Sequence, residues 1–161
     1  MGVSGCGKST LAEAVAQLRG LPFVEGDAHH PPANLDKMRE GIALTDADRE
    51  GWLATLADEL SHAGAVVLSC SALKRCYRDQ LRQAAPGLRF VFMDLSRGEA
   101  QRRVAARGAA HFFHAGLVDN QFDTLERPDG ELGVLRVDAT APLPQILADV
   151  SAWIDQEETT E

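Results

Sequence analysis

The stretch MGVSGCGKST, residues 1–10, decides the fold. Gly2, Gly7, Lys8 and Ser9 fit G-x-x-x-x-G-K-[ST], a loop whose glycines let the backbone curl until successive N–H groups point inward at a polyphosphate. The expected nucleotide cradle is the run Gly2, Val3, Ser4, Gly5, Cys6, Gly7, Lys8, Ser9 and Thr10. After it, KSTLAEAVAQLRG places Leu11, Ala14, Val15 and Leu18 at helical spacing and stops at Gly20. A helix N-terminus with its partial positive charge therefore faces the same anion. Lys8 is placed to reach the β- and γ-phosphates and the Ser9 hydroxyl to ligate Mg²⁺, which completes a site for a nucleoside triphosphate.

Working outward, the 161 residues, 45% hydrophobic and 25% charged, suffice for one good core and not two, so a single domain over 1–161 is expected. A formal net charge of −8, with basic residues scattered along the chain, speaks against nucleic acid as a main partner. Any anionic ligand must then be held by a local cationic pocket. No apolar run approaches the roughly 20 residues of a membrane span, and no charged n-region with an apolar h-region opens the chain. A soluble cytoplasmic protein is expected. Three cysteines without C-x-x-C spacing fit a reducing compartment, and Cys6 reads as a small residue at a variable loop position.

Strands and helices alternate along the rest of the chain. Extended runs fall at 21–27, 64–73, 88–95 and 132–139, and helical ones at 34–41, 46–64, 74–85, 98–108 and 143–156. In the second helical run Trp52, Leu53, Leu56 and Leu60 share a face. Such alternation implies an α/β fold of three layers with a mainly parallel central sheet. The phosphate loop of such a sheet follows a central strand, yet only Met1 precedes it here. The expectation is that Met1 ends that strand and that the natural product begins about 6–10 residues upstream; the alternative is a fold that tolerates the gap.

The richest stretch, EGDAHHPPANLDKMREGIALTDADREGWL, covers residues 25–53. Asp27 follows a strand end, where an α/β sheet opens its ligand crevice, and is suited to accept a hydroxyl proton or help hold Mg²⁺. Phosphoryl transfer asks the protein for positioning and charge neutralisation, so cations around that carboxylate are the partners to seek. Arg49, Lys74, Arg78, Arg103 and Arg107 are the candidates. The pair His29 and His30 lacks further ligands at a zinc-like spacing. DREG at 48–51 spells the D-x-x-G of GTP switches, but it lies in a helical run and no N-K-x-D accompanies it. A nucleotide-binding module without catalysis stays open if the strand before the loop is absent.

Five blocks resemble the gluconokinase family: GVSGCGKS at 2–9, GDAHHPPANLDKMREGIALTDADREGWL at 26–53, CSALKRCYRDQLR at 70–82, HFFHAGLVDNQFDTLERP at 111–128 and VDATAPL at 137–143. The resemblance spans nearly the whole chain. It implies the fold of the small shikimate and nucleoside-monophosphate kinases, with a five-stranded parallel sheet, a substrate-binding helical segment at about 30–62 and a mobile lid at about 107–118. It implies ATP-dependent phosphorylation of gluconate to 6-phosphogluconate with Mg, and a homodimer as a frequent assembly. By resemblance Asp27 orients and deprotonates the sugar-acid hydroxyl, while His30, Arg49, Lys74 and Arg78 hold its carboxylate and hydroxyls. Lys8, Arg103 and Arg107 stabilise the transferring phosphoryl group. Shikimate or nucleotide phosphorylation by a related small kinase is the rival within enzymes. Departures are Ala43 and Gly51 where the family usually has prolines, His114 for another, Asn120 for a common serine, and one extra residue between Arg107 and His111.

Overall fold

A computed structural model describes residues 1–107 and 116–158. In chain order the elements are α1 (Lys8–Arg19), β1 (Phe23–Glu25), a 3-10 turn (Gly26–His29), α2 (Pro32–Arg39), α3 (Asp46–His62), β2 (Val67–Ser69), α4 (Arg75–Ala84), β3 (Phe90–Asp94), α5 (Arg97–Arg107), α6 (Leu117–Thr124), β4 (Val134–Asp138) and α7 (Leu143–Glu158). Every strand and helix expected from periodicity is present.

The strands form two parallel pairs rather than one continuous sheet. β1 pairs with β2, Phe23 opposite Val67, and β3 with β4, Phe90 opposite Val134. The first two residues of the chain join the pairs: Gly2 N–H donates to the Ser71 carbonyl (3.1 Å), and Met93 N–H donates to that of Met1 (3.0 Å). Beside them a cleft of about 400 Å³ runs between β2 and β3, lined by Leu68, Cys70, Phe90, Val91 and Met93 among others. The Met1 nitrogen faces it and donates to the Val91 carbonyl (2.6 Å).

Two apolar cores flank the pairs. One unites Val3, Leu11, Val15, Met93, Val137 and Val150; the other gathers α3 and α4 residues against Cys70 and Phe90. The α3 face is as expected: Trp52, Leu53, Leu56 and Leu60 are all buried, each contributing roughly 1.5–3 kcal/mol. On α1 the buried stripe is Leu11, Ala12, Val15 and Ala16, while Leu18 is 57% exposed. The face turned by one position because α1 packs against both β2 and α7, which covers small residues rather than Leu18.

Three local devices set the acceptor side in place. A capping box at Thr45 and Asp48 starts α3, Thr45 Oγ1 accepting from Asp48 N–H (3.2 Å) and Asp48 Oδ2 from Thr45 N–H (2.8 Å). Trp52 Nε1 donates to the Gly26 carbonyl (2.7 Å) and ties α3 to the 3-10 turn. A side chain on Gly26 would collide with the Ser69 carbonyl oxygen, so only glycine lets that turn lie against β2.

Candidate active site

The phosphate side is built from backbone. Gly2, Gly5 and Gly7 have φ of 142°, 84° and 93°, in the region that favours glycine. Gly2 is doubly constrained, since a Cβ there would stand 2.9 Å from the Met93 carbonyl and 3.0 Å from Cys6 Sγ. Val3 and Cys6 face inward and are buried in the core. Lys8 Nζ donates to the Val3 carbonyl (3.1 Å), and Ser9 Oγ lies 3.4 Å from Ser69 Oγ. Over the start of α1 opens a cavity of about 620 Å³ lined by Gly7, Lys8, Ser9, Thr10, Glu25, Asp27 and Arg107.

A second, narrow pocket of about 40 Å³ adjoins it, lined by Ser4, Lys8, Asp27, His30, Arg49, Ser71, Asn120 and Gln121. Ser4, Lys8 and Asp27 line both spaces. A carboxylate, an ammonium and a backbone turn therefore stand at the one place where a terminal phosphate and an acceptor hydroxyl can meet.

The His30 ring stacks on Trp52 with centroids 4.4 Å apart and pairs through Nδ1 with Asn34 Nδ2 (3.4 Å). Burial first, and then the Arg49 charge, lower its pKa to about 4, so it meets a ligand as neutral imidazole. Arg49 is buried beside it, donates from Nη1 to the Leu44 carbonyl (2.5 Å), and lies over the Tyr77 ring (5.9 Å). Asn34 Nδ2 also donates to the Asp48 carbonyl (2.8 Å), and Lys37 bonds the Asp48 carboxylate (2.7 Å), the main cause of an Asp48 pKa of about 2. This mesh holds α2 on α3 and fixes the pocket wall.

Four expected cations part company. Arg107 lines the phosphate cavity. Arg103 braces the loop instead: its guanidinium donates to the Gly5 carbonyl (3.3 Å), the Ala139 carbonyl (3.1 Å) and Glu99 (2.7 Å). Lys74 lines neither pocket and sits 2.8 Å from both carboxylate oxygens of Asp46, which also accepts from Tyr77 Oη. Arg78 is fully buried, with its five N–H donors directed at the carbonyls of Ala72, Leu73 and Glu126 and at the Glu131 carboxylate. It clamps the turn at Ala72, whose φ of 45° is strained for a residue with a side chain. Arg78, expected at the acceptor, lines neither pocket and has every donor engaged within the protein.

Sequence reasoning passed over Glu25 in the phosphate cavity and Gln121 in the narrow pocket. Gln121 belongs to the inner face of α6, four residues after buried Leu117 and three after buried Val118, and that spacing was its one available signal. Among the described residues no group of three or more His, Cys, Asp or Glu is arranged to hold a metal. Hydroxyl and carboxylate oxygens of Ser9, Glu25 and Asp27 are the hard donors that suit Mg²⁺ beside a nucleotide. No helix among the described residues is long and apolar enough to cross a membrane. The expected lid, with His111 and His114, falls mostly on 108–115, outside the described residues.

Comparison with known proteins gives a consistent picture. A family model described as an AAA domain matches residues 1–128. A gluconokinase of Gluconobacter oxydans is 48% identical over 141 residues, covering 85% of this chain and 79% of that protein. The thermoresistant gluconokinase of Escherichia coli is 40% identical over 153 residues, covering 92% and 87%. Among solved structures, a gluconokinase from Sinorhizobium meliloti superposes with a TM-score of 0.89 at 48% identity, over 97% of this chain and 89% of that one. A deoxyadenosine kinase of Mycoplasma mycoides, at 11% identity and a TM-score of 0.68, shares the fold.

Proposed function

The chain belongs to the gluconokinase family, and we infer from its site how it transfers the γ-phosphoryl group of ATP to a hydroxyl of gluconate. The observation that carries the reading is that Asp27 and Lys8 line both the phosphate cavity and the narrow pocket beside it.

The N–H groups of the Gly2–Thr10 loop and the N-terminus of α1 take the polyphosphate. Lys8 exchanges its bond to the Val3 carbonyl for phosphate oxygens. Arg107, facing the cavity, neutralises charge that spreads over the transferring group; Arg103 keeps Gly5 in position and acts through the loop. Mg²⁺, held by Ser9 Oγ with Asp27 and Glu25 nearby, supplies further neutralisation of the phosphates when bound. In the narrow pocket Arg49 pairs with the gluconate carboxylate, and neutral His30 exchanges hydrogen bonds with its hydroxyls. Asp27 orients the attacking hydroxyl and accepts its proton as the new O–P bond forms and the bond from the γ-phosphorus to the β,γ-bridging oxygen breaks, releasing ADP. Lys74 and Asp46 hold Tyr77, and through its ring the Arg49 guanidinium, so Lys74 acts on the acceptor indirectly. Segment 30–62, about as the family resemblance implies, is the acceptor-binding part of the domain. A cytoplasmic homodimer completes the reading.

The test is gluconate-dependent ADP formation with Mg-ATP, with shikimate and nucleoside monophosphates in parallel. Asp27→Asn should lower kcat about 10²-fold or more while leaving ATP affinity largely intact. Unchanged turnover in that variant overturns the base assignment, and equal ADP release with and without gluconate overturns the acceptor.

A further inference from the structure

The N–H of Ser4 is engaged by a side chain that reaches the loop from the far side of the site. Gln121 Oε1 accepts from Ser4 N at 2.6 Å across 117 residues of sequence. Ser4 lines both the phosphate cavity and the narrow pocket, and Gln121 lines the narrow pocket together with Asp27, His30 and Arg49.

The orientation of this carboxamide is fixed by chemistry. A backbone N–H can only donate, so the amide oxygen must face Ser4, and the two N–H donors on the same planar group must face elsewhere. The helix that carries it is held at several points. Leu117 and Val118 are buried, Arg97 binds Asp119 (3.0 Å) and Asp123 (2.8 Å) on the outer face, and Glu126 N–H donates to the Leu73 carbonyl (2.9 Å) just beyond the helix. Gln121 is thus a rigidly mounted neutral donor in a pocket it shares with the Asp27 carboxylate, the neutral His30 imidazole, the Lys8 and Arg49 cations, the hydroxyls of Ser4 and Ser71 and the carboxamide of Asn120.

We propose that Gln121 is a specificity-determining residue for the acceptor: its oxygen is registered against the phosphate loop by Ser4 N–H, and its NH₂ group donates to a hydroxyl or carboxylate oxygen of the sugar acid. This rests on the acceptor being a polyhydroxy acid, as above. A neutral donor suits the place, because it selects an oxygen-rich acceptor without drawing the phosphoryl oxygens away from Lys8. Registration by Ser4 also means that the acceptor is measured directly from the loop that holds the phosphates.

Two variants separate this from a strut that merely ties α6 to the loop. Gln121→Glu keeps an acceptor for Ser4 N–H and the side-chain size but presents an anion to the sugar acid. The gluconate KM should rise about tenfold or more, with the ATP KM within about twofold of wild type. A gluconate KM close to wild type in this variant overturns the proposal, since a strut would be preserved. Gln121→Met, neutral and of similar length, serves if the glutamate variant melts early. A selective rise of about tenfold in gluconate KM supports the assignment, and a parallel rise for ATP, or none, overturns it. Wild-type protein without gluconate-dependent ADP release would instead sink the acceptor reading itself, and the two failures are distinguishable in one assay.

Discussion

The two halves of the site are built from different materials. The phosphate loop is built from backbone, with three glycines at positive φ and buried Val3 and Cys6 beneath them, and it brings Ser4, Lys8, Ser9 and Thr10 to a cavity whose other polar side chains, Glu25, Asp27, Arg39 and Arg107, come from elsewhere in the fold. The narrow pocket is lined by side chains that the 3-10 turn, α3 and α6 supply, each anchored to a different part of the fold: His30 to Asn34, Arg49 to the Leu44 carbonyl and Gln121 to the Ser4 N–H. Backbone geometry can be specified by glycines at fixed spacing within ten residues. A side-chain pocket is specified by which donors remain after the fold has engaged the others, and two buried arginines show how far that matters. Arg49 keeps part of its guanidinium for the pocket, whereas Arg78 gives all of its donors to the protein.

The sharpest way to break this contrast is Arg78→Ala. Glu131, only 9% exposed, would be left with Arg82 alone, and the Ala72 and Leu73 carbonyls would lose their donor. Stability should fall by about 3–5 kcal/mol in urea unfolding, with the gluconate KM of the folded fraction nearly unchanged. A stable variant with a raised gluconate KM would return Arg78 to the acceptor pocket. On the backbone-built side the matching test is Lys8→Ala, for which we expect kcat to fall about 10²–10³-fold with no change in melting temperature. A rise in the ATP KM at constant kcat would mean that Lys8 binds the ground state only.

How much was legible follows from the same difference. The loop, the helix after it and the amphipathic face of α3 were readable because each is a short-range pattern of glycine or apolar spacing. Arg49, Lys74 and Arg78 looked alike in sequence because each is a cation beside a strand end or in a polar run, and only Asp46, Tyr77, Glu126 and Glu131, up to 53 residues away, separate them. Gln121 carries no charge, and its helical spacing from Leu117 and Val118 marks a face of α6 without naming a partner, so Ser4 could not be found from either end.

The pH dependence of stability gives a subtler probe of the side-chain half. Free of the fold, the His30 ring takes up a proton near 6.5; in its place on Trp52, beside Arg49, it does so only near about 4. The unfolded chain therefore binds the extra proton between these values, and His30 should cost stability progressively as pH falls from 6.5 to about 4, with no further loss from this group below. Urea unfolding of wild type and His30→Gln across that range isolates the contribution as the difference between their slopes. Parallel curves would mean that the ring is solvated and that its stack does not hold in solution.

The smallest expected effect tests whether the acceptor wall is set by local backbone at all. Gly51 stands inside α3, between Arg49 and Trp52, where the family usually has a proline, and a Cβ there would meet nothing within 4 Å. Its φ is not in the positive range, so alanine fits without strain. Gly51→Ala should raise stability by about 0.5–1 kcal/mol through the lower chain entropy of the unfolded state. If the wall is fixed by its side-chain mesh, the capping box and the Trp52 bond to Gly26, then kcat and both KM values should stay where they are. A gluconate KM that moves with this substitution would show that α3 must yield at Gly51 for Arg49 to meet the acceptor, and the pocket would then owe its shape to backbone freedom as the phosphate loop does.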